Sequence, residues 1–178
     1  MGQYYHPANL DKKQYLHPHR FGDGLKLLEF GSSGSGTMMA MAVLLAVGNG
    51  RGGGDLHSED SIIGTWAGDR IAIIGDYADE KDDWEDVTKT KAEYDAAYKG
   101  VWGEDSDWQD ISEDVITALA EDSYIRNEFL NSAAYHEWSE TEWYFLFTKE
   151  EIAARRKEQN DKRAAEQAKL KAEAKQNN

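Results

Sequence analysis

The chain predicts an α+β fold: a mixed or mostly antiparallel sheet with packed helices, plus a long C-terminal charged helix. Three observations lead there. Short β-branched or aromatic runs bounded by turn residues stand at the N-terminus and at Ile71–Ile74. Helix candidates stand at 37–47, apolar on all sides, and at 110–120, with apolar residues at helical spacing. Residues 149–178 are rich in Ala, Lys, Glu and Gln, with almost no large apolar side chains.

Length and charge set the frame. A chain of 178 residues predicts one acidic domain over 1–148 and a charged helical tail over 149–178, partly disordered. Residues 1–148 hold 28 acids against 11 bases, a net of −17, and residues 149–178 hold 6 against 9, a net of +3; together they give −14. Between Asp76 and Asp122 there are 17 acids and 4 lysines, a net of −13. Such a surface repels nucleic acid and anionic membrane and favours a protein partner with a basic surface; only the basic tail offers contacts to nucleic acid. The absence of cysteine leaves out disulfides, thiol nucleophiles and zinc–thiolate sites, and with the lack of a signal-peptide pattern at the N-terminus it predicts a cytoplasmic protein. The longest apolar run, Met38–Val47, is about half of the roughly 20 residues needed to cross a bilayer.

Taken in order, Gln3–Leu10 and Gln14–Leu16 flank Asp11-Lys12-Lys13 and read as a hairpin, with Pro7 placing its strand at an edge or a bulge. His17-Pro18-His19 is an extended loop. Its two histidines could share a metal with Asp23, but no further ligands follow at a recognisable spacing. Leu25–Phe30 reads as a short strand. Gly31, Gly34, Gly36 and Thr37 then form a glycine–serine loop before a helix that is apolar all round and therefore buried. The spacing is that of a phosphate loop, although Thr37 stands where such a loop carries its lysine. Gly48–Asp55 is a loop. Ile71–Ile74 reads as a strand buried on both faces. Asp69, Arg70, Asp76 and Asp79 stand at its ends, where α/β folds form pockets; the plainer reading pairs Asp69 with Arg70 and has Asp76 cap a turn.

Four phrases, MGQYY, NLDKKQYL, FGDGLKLLEFG and GDRIAIIGDYADE, occur in that order within roughly the first 80 residues. In them the chain resembles a group of short phage and bacterial proteins that begin MGQYY, continue close to VNLDKKEYL and GLKLMEH, and reach a GDR–GDYAD segment. The resemblance implies a phage or mobile-element origin. The chain departs from that pattern at LLEFGSSGSG, where the group carries a MEHS-type phrase, and this separates the glycine loop from a shared site.

The C-terminal half is acidic and aromatic. Trp84, Glu85 and Asp86, then Trp102, Glu104, Asp105 and Trp108, repeat a tryptophan followed by carboxylates. Aromatic anchors rimmed by charge fit a protein-binding patch; alternatively the indoles pin the region to the core. The acids lack the order of a calcium loop. Residues 88–98 read as a helix with Tyr94 and Tyr98 on one face, 100–109 as a turn-rich link and 110–120 as a helix capped by Asp110 or Ser112. Tyr124–Leu130 is helix or strand, and Glu142–Phe147 a strand candidate. His136-Glu137 does not extend to a zinc-protease motif. Thr148 and Glu151 form a capping box that opens the tail helix. No nucleophile or acid–base set, metal site or cofactor motif emerges. Two functions remain: a small regulatory protein that binds a host protein through the acidic aromatic surface, as a nucleic-acid mimic or anti-defence inhibitor; or a binding protein or enzyme for a nucleotide-like or other anionic small molecule, using the Gly31–Thr37 loop with Asp69, Arg70 and Asp76.

Overall fold

The computed structural model describes residues 2–34, 36–49, 56, 62–77, 91–104, 106–135 and 146–176. It has the expected α+β architecture. Strands β1 (Tyr5–Asn9), β2 (Gln14–Tyr15), β3 (Ile71–Gly75) and β4 (Gln109–Asp110) form a mixed sheet in the order β3-β1-β2-β4. The helices are α1 (Leu27–Gly31), α2 (Thr37–Leu45), α3 (Lys91–Trp102), α4 (Ser112–Leu119), α5 (Ser123–Tyr135) and α6 (Lys149–Gln176). Two compact units divide within α5, Met1–Phe129 and Leu130–Asn178. No described helix is long and apolar enough to cross a membrane.

In the first unit, β1 and β2 form the expected antiparallel hairpin, and β4 adds to β2 in parallel. Asn9 holds the turn: its Oδ1 accepts the N–H groups of Asp11 and Lys12 at 3.0 and 2.9 Å. Pro7 lies on an interior strand, not at an edge. Leu10 N–H donates to the Arg70 carbonyl and Asp76 N–H to the Tyr4 carbonyl, so the even residues of β1 bond β3 and the odd ones face β2. Pro7 is odd, and β2 ends beside it. Its carbonyl accepts from Leu16 N–H, and its missing N–H forfeits one terminal rung.

Among the described residues strand β3 pairs with β1 on one side only, and its burial alternates over Ile71–Ile74, with Ala72 and Ile74 buried and Ile71 and Ile73 half-buried, before a buried Gly75. It is an edge of the described sheet rather than a strand buried on both faces. Ala72 and Ile74 pack with Ala8 against Ala97 and Val101 of α3. Leu25–Phe30 is not a strand. Lys26 N–H donates to the Glu29 carboxylate at 3.1 Å and Glu29 N–H to the Lys26 carbonyl at 2.8 Å, a local capping arrangement that starts α1. Helix α2 forms where expected but buries only one face, Thr37, Ala40, Met41 and Leu44, at helical spacing. Val47 just beyond it is 90% exposed. Trp66 is fully buried and donates its indole N–H to Gln14 Oε1 at 3.0 Å, tying the segment before β3 to β2.

Helix α3 runs on through Gly100 to Trp102, so the expected link begins later. Tyr98 is half-buried, and the Tyr94 side chain lies outside the description. The Asp110 carboxylate accepts from the backbone and hydroxyl of Ser112 at 3.0 and 2.6 Å and opens α4, whose Val115, Ile116 and Leu119 are buried as expected. Tyr124–Leu130 is helical. Of the expected Glu142–Phe147 strand, residues 142–145 fall outside the described residues, and so do 50–55 of the glycine loop.

In the second unit, the capping box is present: Glu151 N–H donates to Thr148 Oγ1 at 3.1 Å and Thr148 N–H to the Glu151 carboxylate at 2.7 Å. The first turns of α6 attach to the end of α5. Arg155 and Gln159 reach Asn131, Arg156 donates to the Ala134 carbonyl at 3.0 Å, and Arg163 stands over the Tyr135 ring. From Asn160 to Ala174 every residue is exposed.

Candidate functional site

The glycine loop and the ends of β3 do not meet in one pocket. Gly31 closes α1 and Gly34 is exposed. Gly36 precedes α2, and Thr37 opens it. The N–H of Thr37 and its hydroxyl both donate to one oxygen of Asp23, each at 2.7 Å. A side chain at position 36 would run into that carboxylate. The position a phosphate would take at this helix N-terminus is thus occupied by an acid of the chain itself, so an incoming anion must displace Asp23. Among the described residues no group of three His, Asp or Glu can hold a metal ion.

Asp69 and Arg70 do not pair with each other. Asp69 accepts from Lys12, in an ion pair, and from Asn9 Nδ2 at 2.8 Å; these bonds, Lys12 first, hold its carboxyl below the usual range. Arg70 is clamped by Asp11, which accepts from its Nε at 2.8 Å, its Nη2 at 2.6 Å and its backbone N–H at 2.8 Å. Glu93 of α3 binds Arg70 Nη1 at 3.2 Å. The Arg70 bonds depress the Asp11 carboxyl, and Asp11 and then Glu93 raise the guanidinium further. Asp76 stands at the other end of β3, six residues on and roughly 20 Å away at strand rise, where it accepts Tyr4 N–H at 3.0 Å. Asp79 lies outside the described residues.

The predicted partner surface divides in the same way. Trp84, Glu85, Asp86 and Asp105 lie outside the described residues. Glu104 is exposed. Trp102 and Trp108 are half-buried against the sheet–α3 cluster. Trp102 donates its indole N–H to the Ile74 carbonyl at 3.3 Å and stacks on His6, ring centroids 4.2 Å apart. The Trp108 indole lies against Gly100, where a methyl group would overlap it. Both indoles serve packing.

Residues from the two predicted sites do meet at one place. A cleft of about 410 Å³ opens between the β1–β2 turn, α3 and residues 106–108, lined among others by Leu10, Lys13, Arg70, Glu93, Lys99 and Trp108. Lys13 pairs across it with Asp107 at 2.5 Å, and Lys13 holds the Asp107 carboxyl below its usual range. Three cations and two carboxylates line the cleft, so it suits ionic recognition of a small group. The hydroxyl of Ser106, which also lines the cleft, donates to the Gly100 carbonyl. Sequence reasoning did not single out Asp11, Lys12 and Lys13, which the structure places in ion pairs with Arg70, Asp69 and Asp107; the Asp-Lys-Lys turn was the available signal, legible only once the hairpin and β3 are adjacent. No family model, no curated protein and no solved structure matches this chain.

Proposed function

We propose that this chain is a small regulatory protein that binds the basic surface of a protein partner through the acidic face of residues 76–122. One observation carries the reading, the net charge of −13 over that span. Glu104 and Asp114 add to it: both are exposed and neither has a cation partner among the described residues. Exposed carboxylates on and beside packed helices attract and orient a basic partner, and spaced carboxylates suit a cleft built for phosphates. The resemblance to phage-encoded proteins makes a host protein that handles nucleic acid the partner of choice, with inhibition in the cytoplasm as the consequence.

The test is capture of a partner from a bacterial lysate, followed by reconstitution with both proteins purified. Affinity should fall steeply between low and physiological salt and fall again, about tenfold or more, in a Glu104→Gln, Asp114→Asn variant. An affinity indifferent to both salt and these substitutions overturns the proposal. A second reading rests on the Lys13–Arg70–Lys99 cleft, which suits an anionic small molecule. Stabilisation of the purified protein by nucleotides or dicarboxylates, lost in Arg70→Gln, would favour it instead.

A further inference from the structure

The imidazole of His6 stands at the inner end of a run of three histidine rings. Its centroid is 4.6 Å from that of His17, and His17 is 5.4 Å from His19. His19 is half-buried and His6 is 3% exposed, so the run leads from the surface into the core. Around His6 stand Tyr15 of β2, Ile74 of β3, Trp102 of α3 and His17. Burial, and then the charge of Asp110 against that of Arg20, raise the Tyr15 phenol above its usual range, so it stays neutral. The charges that reach His6 are those of His17 and then His19, and both repel a proton there. Both ring nitrogens of His6 are buried without a hydrogen-bond partner. A proton on His6 therefore places a charge where the described residues offer it neither an acceptor nor a counter-ion.

The walls of this site are not held equally. Strand β1 lies between β3 and β2 and is paired on both sides. The His17 N–H donates to Ser112 Oγ at 2.8 Å, and the His17 carbonyl accepts from Arg20 N–H at 2.9 Å. Trp102 is the last residue of α3, and its indole is tied to the sheet by one bond of 3.3 Å, to the Ile74 carbonyl. Gly103 and Glu104 beyond it are exposed. A helix end opens at lower cost than a strand inside a sheet. We propose that Trp102 and the last turn of α3 form a proton-operated latch: protonation of His6 displaces the indole, admits water to the imidazole and frees the end of α3. Stacking on Trp102 gives contact to the face of the His6 ring but no acceptor for its N–H groups. The sheet stays paired while the latch opens. Glu104 lies two residues beyond Trp102, so its position follows the latch and hence pH.

The latch works without a partner, so its test is separate from that of the acidic face. The experiment uses the full chain and follows solvent exchange of the Trp102 indole N–H by NMR from pH 7.5 to 5. The resonance is assigned with Trp102→Phe, and each rate is compared with the intrinsic one to give a protection factor. One proton drives the opening, so protection should fall about tenfold for each pH unit below 6.5, with the opened form still a minority at pH 5. Amides of the β1–β3 ladder open only with the whole unit and should exchange more slowly than the indole at every pH. His6→Phe and His6→Gln do not titrate, and each should hold the protection of the indole constant across the same range. Three results overturn the latch: protection that does not change with pH in the wild type, a pH slope that survives both His6 variants, or an indole that exchanges no faster than the ladder amides.

Discussion

His6 is the residue whose protonation should govern acid stability. It lies on interior strand β1, is 3% exposed, and has no hydrogen-bond partner on either ring nitrogen. Its ring is stacked on Trp102 and stands 4.6 Å from the His17 ring and 5.5 Å from Tyr15. Burial first, then the charges of His17 and His19, lower its pKa from 6.5 to about 3. The folded state therefore binds fewer protons here than the unfolded state. The stability this neutral imidazole contributes is complete above pH 6.5 and is lost as pH falls toward 3. Linkage gives a loss of about 2 kcal/mol by pH 5 and about 3 kcal/mol by pH 4 from this residue. His6→Phe keeps a flat ring on Trp102 and cannot titrate. Urea unfolding of both proteins from pH 7.5 to 4 isolates the contribution as the difference between the two curves, since the carboxylates are common to both. The wild type should fall relative to H6F by about 2 kcal/mol between pH 7 and 5. Parallel curves would refute the reasoning, because they would mean that His6 finds a partner or water once protonated.

Asp23→Ala should lower stability by about 1–2 kcal/mol, read from denaturant midpoints, because it strips the acceptor from the first turn of α2; inorganic phosphate should then stabilise D23A and leave the wild type unmoved. Gly100→Ala, normally worth up to about 1 kcal/mol in a helix interior, should instead destabilise by about 1–3 kcal/mol and shift the tryptophan emission, because the added methyl overlaps the Trp108 indole. Thr148→Ala should cost about 1 kcal/mol at the start of α6 and speed amide exchange over its first two turns, while exchange in β1 and β3 stays unchanged.

What was legible in the sequence was what neighbouring residues decide. The hairpin around Asn9–Lys13, the α4 start at Asp110-Ile111-Ser112 and the Thr148–Glu151 box each rest on bonds spanning two or three residues. Misreadings arose where a distant partner intervenes. Leu25–Phe30 looked like a strand because its leucines are adjacent, yet Lys26 and Glu29 bond locally and leave Leu28 84% exposed. Pro7 looked like an edge residue because an interior strand needs its N–H, and only the shortness of β2 relaxes that need. The glycine loop looked like an anion site because nothing in its own residues announces Asp23, which arrives from fourteen positions upstream. The cleft could not be read from sequence because Lys13, Arg70, Lys99 and Trp108 meet only after the sheet and α3 assemble.

The placement of the few cations decides where the negative face survives. Residues 1–148 contain 11 bases. Four of them work around the sheet and the turn that follows it: Lys12 on Asp69, Lys13 on Asp107, Arg70 on Asp11 and Glu93, Arg20 on Glu113. These pairs are largely exposed, so each contributes little to stability by itself, roughly 0–1 kcal/mol. Their effect is on position. They neutralise the hairpin turn and the start of β3, where two strands and α3 bring carboxylates close together. Glu104 and Asp114 keep no cation among the described residues, so they stand as unneutralised charges, one just after α3 and one on α4. Neutralising Glu104 and Asp114 should therefore weaken partner binding while leaving the fold intact. Removing Lys12 or Arg70 would instead disturb the turn and β3 and leave Asp69, or Asp11 and Glu93, without a cation, so its effect on binding would be mixed with an effect on the fold.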